Sequence, residues 1–264
     1  MTWRPYFTAS NEPGAAPPRP WIKALNFSVA LAFVALIFCV SFARLAFKLE
    51  WGVIYDYRWK LFNGWLITIG ISAAALVCSA LIGLLFALAQ RSAFLPLRYF
   101  SKIYVEAVRG TPLLAQILIF FYVVFDAAGL QNRYAAGVLI LSFFSGAYIT
   151  EIFRAGVESV GKSQLESAKA IGLTSAQTYR YVIFPQAVRQ ILPPLAGQFV
   201  SLVKDSSLLS IIGVSEFTWQ AESINALTYR TLESYIPLAV GYLVLTMPIS
   251  FWTRSLERRF KFDT

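Results

Sequence analysis

Residues 61–90 read LFNGWLITIGISAAALVCSALIGLLFALAQ and contain no charged side chain. About 20 apolar residues in a helix cross the roughly 30 Å hydrocarbon core of a bilayer, so this stretch is long enough to span a membrane. Backbone N–H and C=O groups in lipid must be satisfied within their own segment, which a helix achieves. The segment therefore predicts a membrane-spanning helix, and it decides the class of the fold.

Other segments of the chain share this apolar character. Of the 264 residues, 57% are hydrophobic and 14% are charged, whereas about a quarter of the residues in a soluble domain are charged. The first segment is longer than the apolar part of a cleaved signal peptide, which is about 7–15 residues. The sequence predicts an all-α integral membrane protein, a helical bundle of about six transmembrane helices at residues 24–43, 61–90, 110–125, 134–150, 191–214 and 234–253.

Basic residues cluster in alternate loops and predict the orientation in the membrane. Positively charged loops stay in the cytoplasm. The loop before the last segment is acidic, with Glu216, Glu222 and Glu233. Both termini and the long loop after the fourth segment are therefore expected in the cytoplasm. The basic residues are Arg91, Arg98, Lys102 and Arg109, then Lys162, Lys169, Arg180 and Arg189, then Arg254, Arg258, Arg259 and Lys261.

Composition argues against several other functions. The chain has no histidine, which removes the commonest general base and metal ligand. Cys39 and Cys78 lie in apolar stretches without metal-type spacing, so neither a disulfide framework nor a metal site is expected. The net charge of +9 matters here through its location in the loops, which indicates orientation rather than nucleic-acid binding. Residues 1–20 are rich in proline and are expected to form a disordered cytoplasmic tail.

The loop after the fourth segment begins with a helix signal. Ser163 and Glu166 match the S-x-x-E capping box, in which the two side chains satisfy backbone N–H groups at a helix start. A helix beginning there has Leu165, Ala168 and Ile171 on one side. The sequence therefore predicts a short amphipathic helix in this loop.

Turn signals follow that helix. Gly172 is the residue type that commonly ends a helix in the left-handed conformation. Thr174 and Gln177 form a second capping box that starts another helix, and Pro185 is expected to break it. The sequence thus predicts a helix, a glycine turn, a second helix and a proline.

The same residues form a longer spaced pattern. Glu166-Ser167-Ala168 is followed after three residues by Gly172, and after nine more by Val182-Ile183-Phe184-Pro185. This resembles the EAA loop of bacterial ABC importer permeases, EAA-x3-G-x9-I-x-LP, with similar residues at the three positions that differ. The resemblance covers most of residues 61–260, and its other marks are VEAVRGTPLL at 105–114, EIFRAG at 151–156 and SLVKDSSL at 201–208.

In that family the loop is a coupling helix that docks on a separate ATPase subunit. The resemblance implies the ABC type I importer permease fold for residues 61–260, with the coupling loop at 156–185. Residues 21–60 would then be an extra transmembrane helix and a periplasmic segment. Ala168 and Ala170 would let a partner approach the backbone. The residues implied in coupling to the ATPase are Glu166, Ser167, Ala168, Gly172 and Pro185.

The other marks look like the polar amino acid branch of the family, the histidine, glutamine and glutamate type of permease. The resemblance implies the transmembrane subunit of an ATP-driven importer that moves polar amino acids across the bacterial inner membrane by alternating access. Its expected partners are an ATP-binding subunit dimer, an identical or sister permease chain, a periplasmic substrate-binding protein and membrane lipid. ATP and magnesium would be bound by the ATPase, so this chain is expected to be a transport subunit without cofactor or catalytic residue.

Polar residues inside the fifth segment are candidates for the substrate pathway. Charges at membrane depth are costly and usually face a cavity or another polar group. Lys204 and Asp205 either satisfy each other at a helix contact or, with Ser206 and Ser207, line the route and bind the carboxylate and ammonium groups of an amino acid. Consecutive helical residues diverge by about 100°, so the second arrangement requires local unwinding.

Two further patterns favour structural interpretations. Glu106 with Arg109, and Glu151 with Arg154, are spaced either for local ion pairs at cytoplasmic helix ends or to brace the coupling loop, and the small energy of such pairs favours the first. Gly161-Lys162-Ser163 completes the nucleotide-binding pattern GxxxxGKS, but a phosphate loop needs a buried strand before it, and here a membrane helix is predicted. That match is therefore interpreted as accidental.

A transporter of another class remains as the alternative. An ion-coupled secondary amino acid transporter often has inverted repeats and broken helices at mid-membrane. The sequence shows no convincing repeat, and the polar break at Lys204 and Asp205 is the only feature that favours this alternative.

Overall fold

The computed structural model describes residues 19–43 and 49–260. The predicted tail, apart from its last two residues, and Lys261 lie outside this range. The chain divides into two compact units, Met1–Leu49 and Glu50–Thr264. The first unit contains one helix, α1 (Pro20–Ala43). The second unit includes residues 50–60, which the sequence interpretation grouped with the first helix.

All regular secondary structure among the described residues of the second unit is helical. It begins with α2 (Gly52–Asp56) and the long α3 (Arg58–Gln90), and its later helices are joined by short turns. The remaining elements are α4 (Leu95–Arg109), α5 (Leu113–Ile119) with a π-helical turn (Phe120–Phe125), α6 (Arg133–Glu158), α7 (Lys162–Ala170), α8 (Ser175–Thr178) with a π-helical turn (Tyr179–Ile183), α9 (Phe184–Asp205) with a 3-10 turn (Ser206–Ile212), α10 (Phe217–Thr228) and α11 (Thr231–Phe260). Three of these helices, α5, α8 and α9, continue directly into a π-helical or 3-10 turn.

Within residues 19–43 and 49–260, five helices are long and apolar enough to cross a membrane, and a sixth span results if the bent pair Leu95–Arg109 and Leu113–Phe125 is counted as one. The all-α membrane class is confirmed, and the predicted count of about six spans agrees with the five or six that the described residues contain. The predicted third span at 110–125 is the exception, because its straight part is short and follows a 109° bend. Gly110 and Pro112 occupy the bend, where a helix start leaves backbone groups free of intrahelical bonds.

Helices α3 and α6 pack closely because glycines lie at their crossing. A Cβ atom added to Gly83 would lie 2.5 Å from Ile149, and one added to Gly146 would lie 2.7 Å from Ile82. Both distances are shorter than van der Waals contact, so only glycine permits this approach. The main apolar core lies beside this crossing, and its buried residues are Ile71, Ala75, Leu113, Ile117, Ile140, Leu141, Leu202, Leu209, Ile212 and Val214.

A fully buried carboxylate, Glu216, joins α3, α10 and α11. Its oxygens accept the backbone N–H groups of Thr218 (2.9 Å) and Trp219 (2.8 Å) at the start of α10. They also accept the hydroxyl of Tyr242 on α11 at 3.0 Å and lie 3.4 Å from the hydroxyl of Thr68 on α3. The sequence interpretation treated Glu216 as an acidic loop residue, but the structure places it in the interior with no exposed surface.

Replacing Glu216 with alanine should destabilise the fold by about 2–4 kcal/mol, because several buried donors lose their acceptor at once. The same change at Glu222, which is exposed on the same helix, should alter the free energy of unfolding by less than about 0.5 kcal/mol. Equilibrium unfolding in mixed detergent micelles measures both values. Equal stability of the two variants would contradict the assigned role of Glu216.

Candidate functional site

The loop between α6 and α9 folds into the predicted helix and glycine turn. Gly172 follows α7 with φ of +79°, in the left-handed region. The N–H of Leu173 donates to the carbonyl of Ala168, and the N–H of Gly172 donates to that of Lys169, both at 3.0 Å. These two bonds define a Schellman motif, which closes the helix end and turns the chain sharply. The interpretation of Gly172 as the helix stop is confirmed.

The predicted capping box at the start of α7 is wrong. The helix begins at Lys162, and the residue before it, Gly161, has the extended backbone of an N-cap (φ −60°, ψ 142°) without a side-chain cap. Ser163 is therefore already inside the helix, whereas a capping side chain must come from the extended residue that precedes it. Glu166 is exposed and makes no ion pair within the described part of the chain.

The sides of α7 differ in their surroundings. Ala168 is buried at 3% exposure and packs against this chain. The sequence analysis expected it to let a partner approach the backbone, and its burial does not fit that expectation. Ile171 was expected on the same side, but it is 76% exposed, because it occupies the C-cap where the chain leaves the helix. Together with Glu166, Ser167 and Ala170, it forms the outward surface of α7.

One side-chain hydrogen bond and one apolar cluster hold α7 against the start of α9. The Gln186 side-chain amide donates to the Gln164 side chain at 2.6 Å and to the backbone carbonyl of Val182 at 3.0 Å. Beneath them, Val160, Ile183 and Ala187 form a small apolar cluster with Leu165. An open groove of about 580 Å³ lies along the loop, and its lining includes Ser163, Ser167, Ala168, Ile171, Leu173 and Arg189.

The second capping box is confirmed, but the break at proline is not. Thr174 Oγ1 accepts the Gln177 backbone N–H at 3.3 Å, and the Gln177 side chain accepts the Thr174 N–H at 2.9 Å. Pro185 lies in the first turn of α9, directly after the π-helical turn Tyr179–Ile183. Proline lacks an N–H, but early helix positions do not require one, so the chain stays helical from α8 into α9.

The four predicted pathway residues do not point to one place. Lys204 is exposed and Asp205 is half-buried, and no ion pair joins them in the region that the structure describes. Ser206 is buried and donates to the carbonyl of Val203, whereas Ser207 donates to that of Lys204. The α-helix ends at Asp205 and tightens into a 3-10 turn. This change of pitch separates Lys204 and Asp205, which lie in the α-helix, from Ser206 and Ser207, which lie in the 3-10 turn.

A cavity that sequence reasoning did not identify lies beside α6 and α9. Its volume is about 650 Å³. Gln190, Pro194 and Gln198 line it at helical spacing, and Asp205 follows Gln198 by about two turns on the same side of α9. Gln198 also donates to Ser145 on α6 at 3.2 Å. The i, i+4, i+8 spacing of Gln190, Pro194 and Gln198 in the sequence indicates that the three residues share one side of a helix.

Two charged residues, Arg109 and Glu151, line this cavity. Arg154 pairs with Glu151 at 2.7 Å, as predicted, and also with Glu158 at 2.6 Å. The predicted pair of Glu106 and Arg109 is wrong, because Arg109 lies 3.6 Å from Glu151 instead. The fold of α4 onto α6 brings Arg109 to this carboxylate. Glu151 is thus shared by two arginines from different helices.

The nucleotide-binding pattern has none of the structural context that it needs. Gly156 lies inside helix α6, and Lys162 and Ser163 open α7, so a helix and not a strand precedes the loop. Among the described residues, no three His, Cys, Asp or Glu side chains are grouped to hold a metal ion.

Comparison with known proteins gives a consistent result. Residues 79–262 match the family profile described as "Binding-protein-dependent transport system inner membrane component". The glutamine transport system permease protein GlnP of Escherichia coli (strain K12) is 37% identical, over 81% of this chain and 99% of that protein. The L-cystine transport system permease protein TcyB of Bacillus subtilis (strain 168) is 36% identical, over 81% of this chain and 93% of that protein.

Solved structures agree with the sequence relatives. The crystal structure of an amino acid ABC transporter with histidines contains a chain that is 36% identical, with a TM-score of 0.76, covering 81% of this chain and all of that chain. Inward-facing structures of the MetNI methionine ABC transporter share the fold, with 16% identity, a TM-score of 0.62, and coverage of 76% of this chain and 98% of that chain.

Proposed function

The chain belongs to the family of inner membrane components of binding-protein-dependent transport systems, and on that premise we propose that it is the transmembrane subunit of an ATP-driven ABC importer for polar amino acids. The observation that carries the proposal is the folded coupling loop, in which a Schellman turn at Gly172 presents a short helix outward. Relatives named for glutamine and cystine support polar amino acids as the substrate class.

The coupling surface comprises the exposed residues of α7 and its turn. Glu166, Ser167, Ala170 and Ile171 are exposed, and Glu166 offers a free carboxylate to a cation on the ATPase subunit. Ala168 and Pro185 act within this chain, the first as packing and the second in the initial turn of α9. ATP and magnesium would be bound by the ATPase dimer, while this subunit carries no catalytic residue.

The substrate route follows the cavity side of α9. Gln198 and Asp205 present polar groups at membrane depth, where they require a cavity or a polar partner. A second permease chain, identical or sister, would close this side and leave an aqueous path between the two. Lys204 and Ser207 lie near the end of the same helix, whereas Ser206 faces the core and supports the turn.

The excess of Lys and Arg in alternate loops supports a cytoplasmic location for both termini of this multi-pass membrane protein. The coupling loop then faces the ATPase dimer. A periplasmic substrate-binding protein would deliver the amino acid to the opposite side. Closure of the ATPase subunits on ATP would move α7 and, through the Gln164–Gln186 contact and the apolar cluster, α9.

The proposal predicts that the tagged chain, extracted from its native membrane in mild detergent, co-purifies with a stoichiometric ATPase. Uptake of a labelled polar amino acid should stop on ATP depletion and continue in the presence of ionophores. A chain that purifies alone, under conditions that keep a known ABC complex intact, would overturn the importer assignment. Uptake that collapses with ionophores would instead indicate an ion-coupled carrier.

A further inference from the structure

Helix α4 turns away from the direction of the membrane-crossing helices. Its axis makes an angle of 109° with Leu113–Phe125, which packs into the main core through Leu113 and Ile117. Because α4 is nearly perpendicular to this core-packed segment, it lies close to the membrane plane, and only Leu113–Phe125 of the bent pair enters the bilayer. The hydroxyl of Ser101 donates to the carbonyl of Phe86, so α4 crosses α3 near the end of that long helix. This is the depth of a membrane–water interface.

The side chains of α4 fall into three sectors around its axis. Ser101 and Val105 are buried against the bundle. Phe100 and Ile103 lie on the outer sector and are 60% and 66% exposed, too apolar for a water-facing surface. Arg98, Lys102 and Glu106 follow one another at i, i+4, i+8 on the third sector. Apolar and basic sectors side by side are typical of a helix at the boundary between lipid tails and headgroups.

A cavity of about 510 Å³ lies beneath the basic sector. Arg91, Arg98 and Lys102 line it, and none of the three makes an ion pair among the described residues. Arg98 donates to the carbonyl of Ser92 at 2.8 Å, which fixes the guanidinium at the rim. The acidic residues of the same cavity are Glu106, which is unpaired in the described structure, and Glu151 and Glu158, which Arg154 engages.

We propose that this cavity binds the headgroup phosphate of an anionic phospholipid, whose acyl chains lie along Phe100 and Ile103. The lining has four cations, Arg91, Arg98, Lys102 and Arg154, and three carboxylates, so it carries a net charge of +1, which complements a phosphate. The neighbouring exposed apolar side chains argue for a lipid over a soluble protein, because a lipid covers both sectors at once. The site is separate from the coupling loop and from the cavity beside α9.

The test measures lipid preference in bilayers, so it does not depend on transport. The purified full-length chain is reconstituted into phosphatidylcholine vesicles with a trace of spin-labelled phosphatidylglycerol or spin-labelled phosphatidylcholine. Electron spin resonance gives the association of each lipid. The wild-type protein should prefer phosphatidylglycerol, and the preference should weaken at high salt. R98Q/K102Q should reduce the preference about 30-fold.

A matched variant separates a site from general surface charge. K162Q/K169Q removes the same charge from α7 and should retain the wild-type preference. The proposal fails if R98Q/K102Q binds phosphatidylglycerol as the wild type does, or if both double variants lose the preference equally. Circular dichroism melting of each reconstituted variant verifies that the helices are retained. A phosphatidylglycerol preference lost only in folded R98Q/K102Q supports the site.

Discussion

Replacing Gly172 with valine should weaken the binding of the ATPase subunit about tenfold or more. Gly172 has φ of +79°, and a β-branched residue there costs about 1–2 kcal/mol or more. No atom lies within 4 Å of an added Cβ, so the effect comes from the backbone and not from a clash. The strain opens the Schellman turn, which redirects α7, and each 1.4 kcal/mol corresponds to a tenfold change in affinity. Titration of the purified variant with the ATPase measures the loss.

Gly161 provides the matched control at the other end of the same helix. Its backbone has φ of −60° and ψ of 142°, a conformation that valine adopts readily, and an added Cβ would be 3.7 Å from the nearest side-chain atom. Gly161→Val should therefore keep the ATPase bound within about twofold of the wild-type affinity. If the two valine variants bind equally, the turn at Gly172 is not part of the coupling surface.

Replacing Asp205 with asparagine should reduce amino acid uptake by roughly 30-fold while the ATPase remains bound. Asp205 is half-buried, makes no ion pair in the described structure, and lies two turns beyond Gln198 on the cavity side of α9. A hydrogen bond to a charged group contributes about 1.5–3 kcal/mol, so loss of a contact with the substrate ammonium group has an effect of this size. Uptake into proteoliposomes loaded with ATP measures it.

Asp126 is the matched control for this experiment. It is an exposed aspartate after the π-helical turn and is outside the proposed route. Asp126→Asn should transport at the wild-type rate within a factor of about two. Wild-type uptake by Asp205→Asn would remove Asp205 from the pathway, and the polar residues of α9 would then have a structural role only.

The membrane spans were predictable because lipid requires long charge-free stretches, and 61–90 and 134–150 lie inside α3 and α6. The path of α4 was not. Its sequence mixes Arg98 and Lys102 with apolar residues, so it lacks the uniform apolar character of a span. The direction of α4 relative to the segment after the turn at Gly110 depends on packing between helices. The third span was consequently predicted as a separate segment, without its bent partner.

Local signals predicted the parts of the coupling loop that local forces determine. Gly172 and the Thr174–Gln177 capping box depend only on neighbouring backbone groups. The start of α7 was misplaced because Ser163 and Gly161 can both precede a helix. The partner of Arg109 and the cavity at Gln198 depend on how α4, α6 and α9 meet, which no short-range pattern encodes.

Because the Glu216 carboxylate accepts a hydrogen bond from α11, the packing of the helices around it is complete only when this last helix is in place. Thr68 emerges from the ribosome 148 residues before Glu216, and Tyr242 follows 26 residues later. Until α11 inserts, the carboxylate lacks one of its hydrogen-bond donors. Packing α10 against α3 at that stage would bury a carboxylate that is not fully hydrogen-bonded, which is energetically costly. A chain that stalls before α11 therefore stays open on this side.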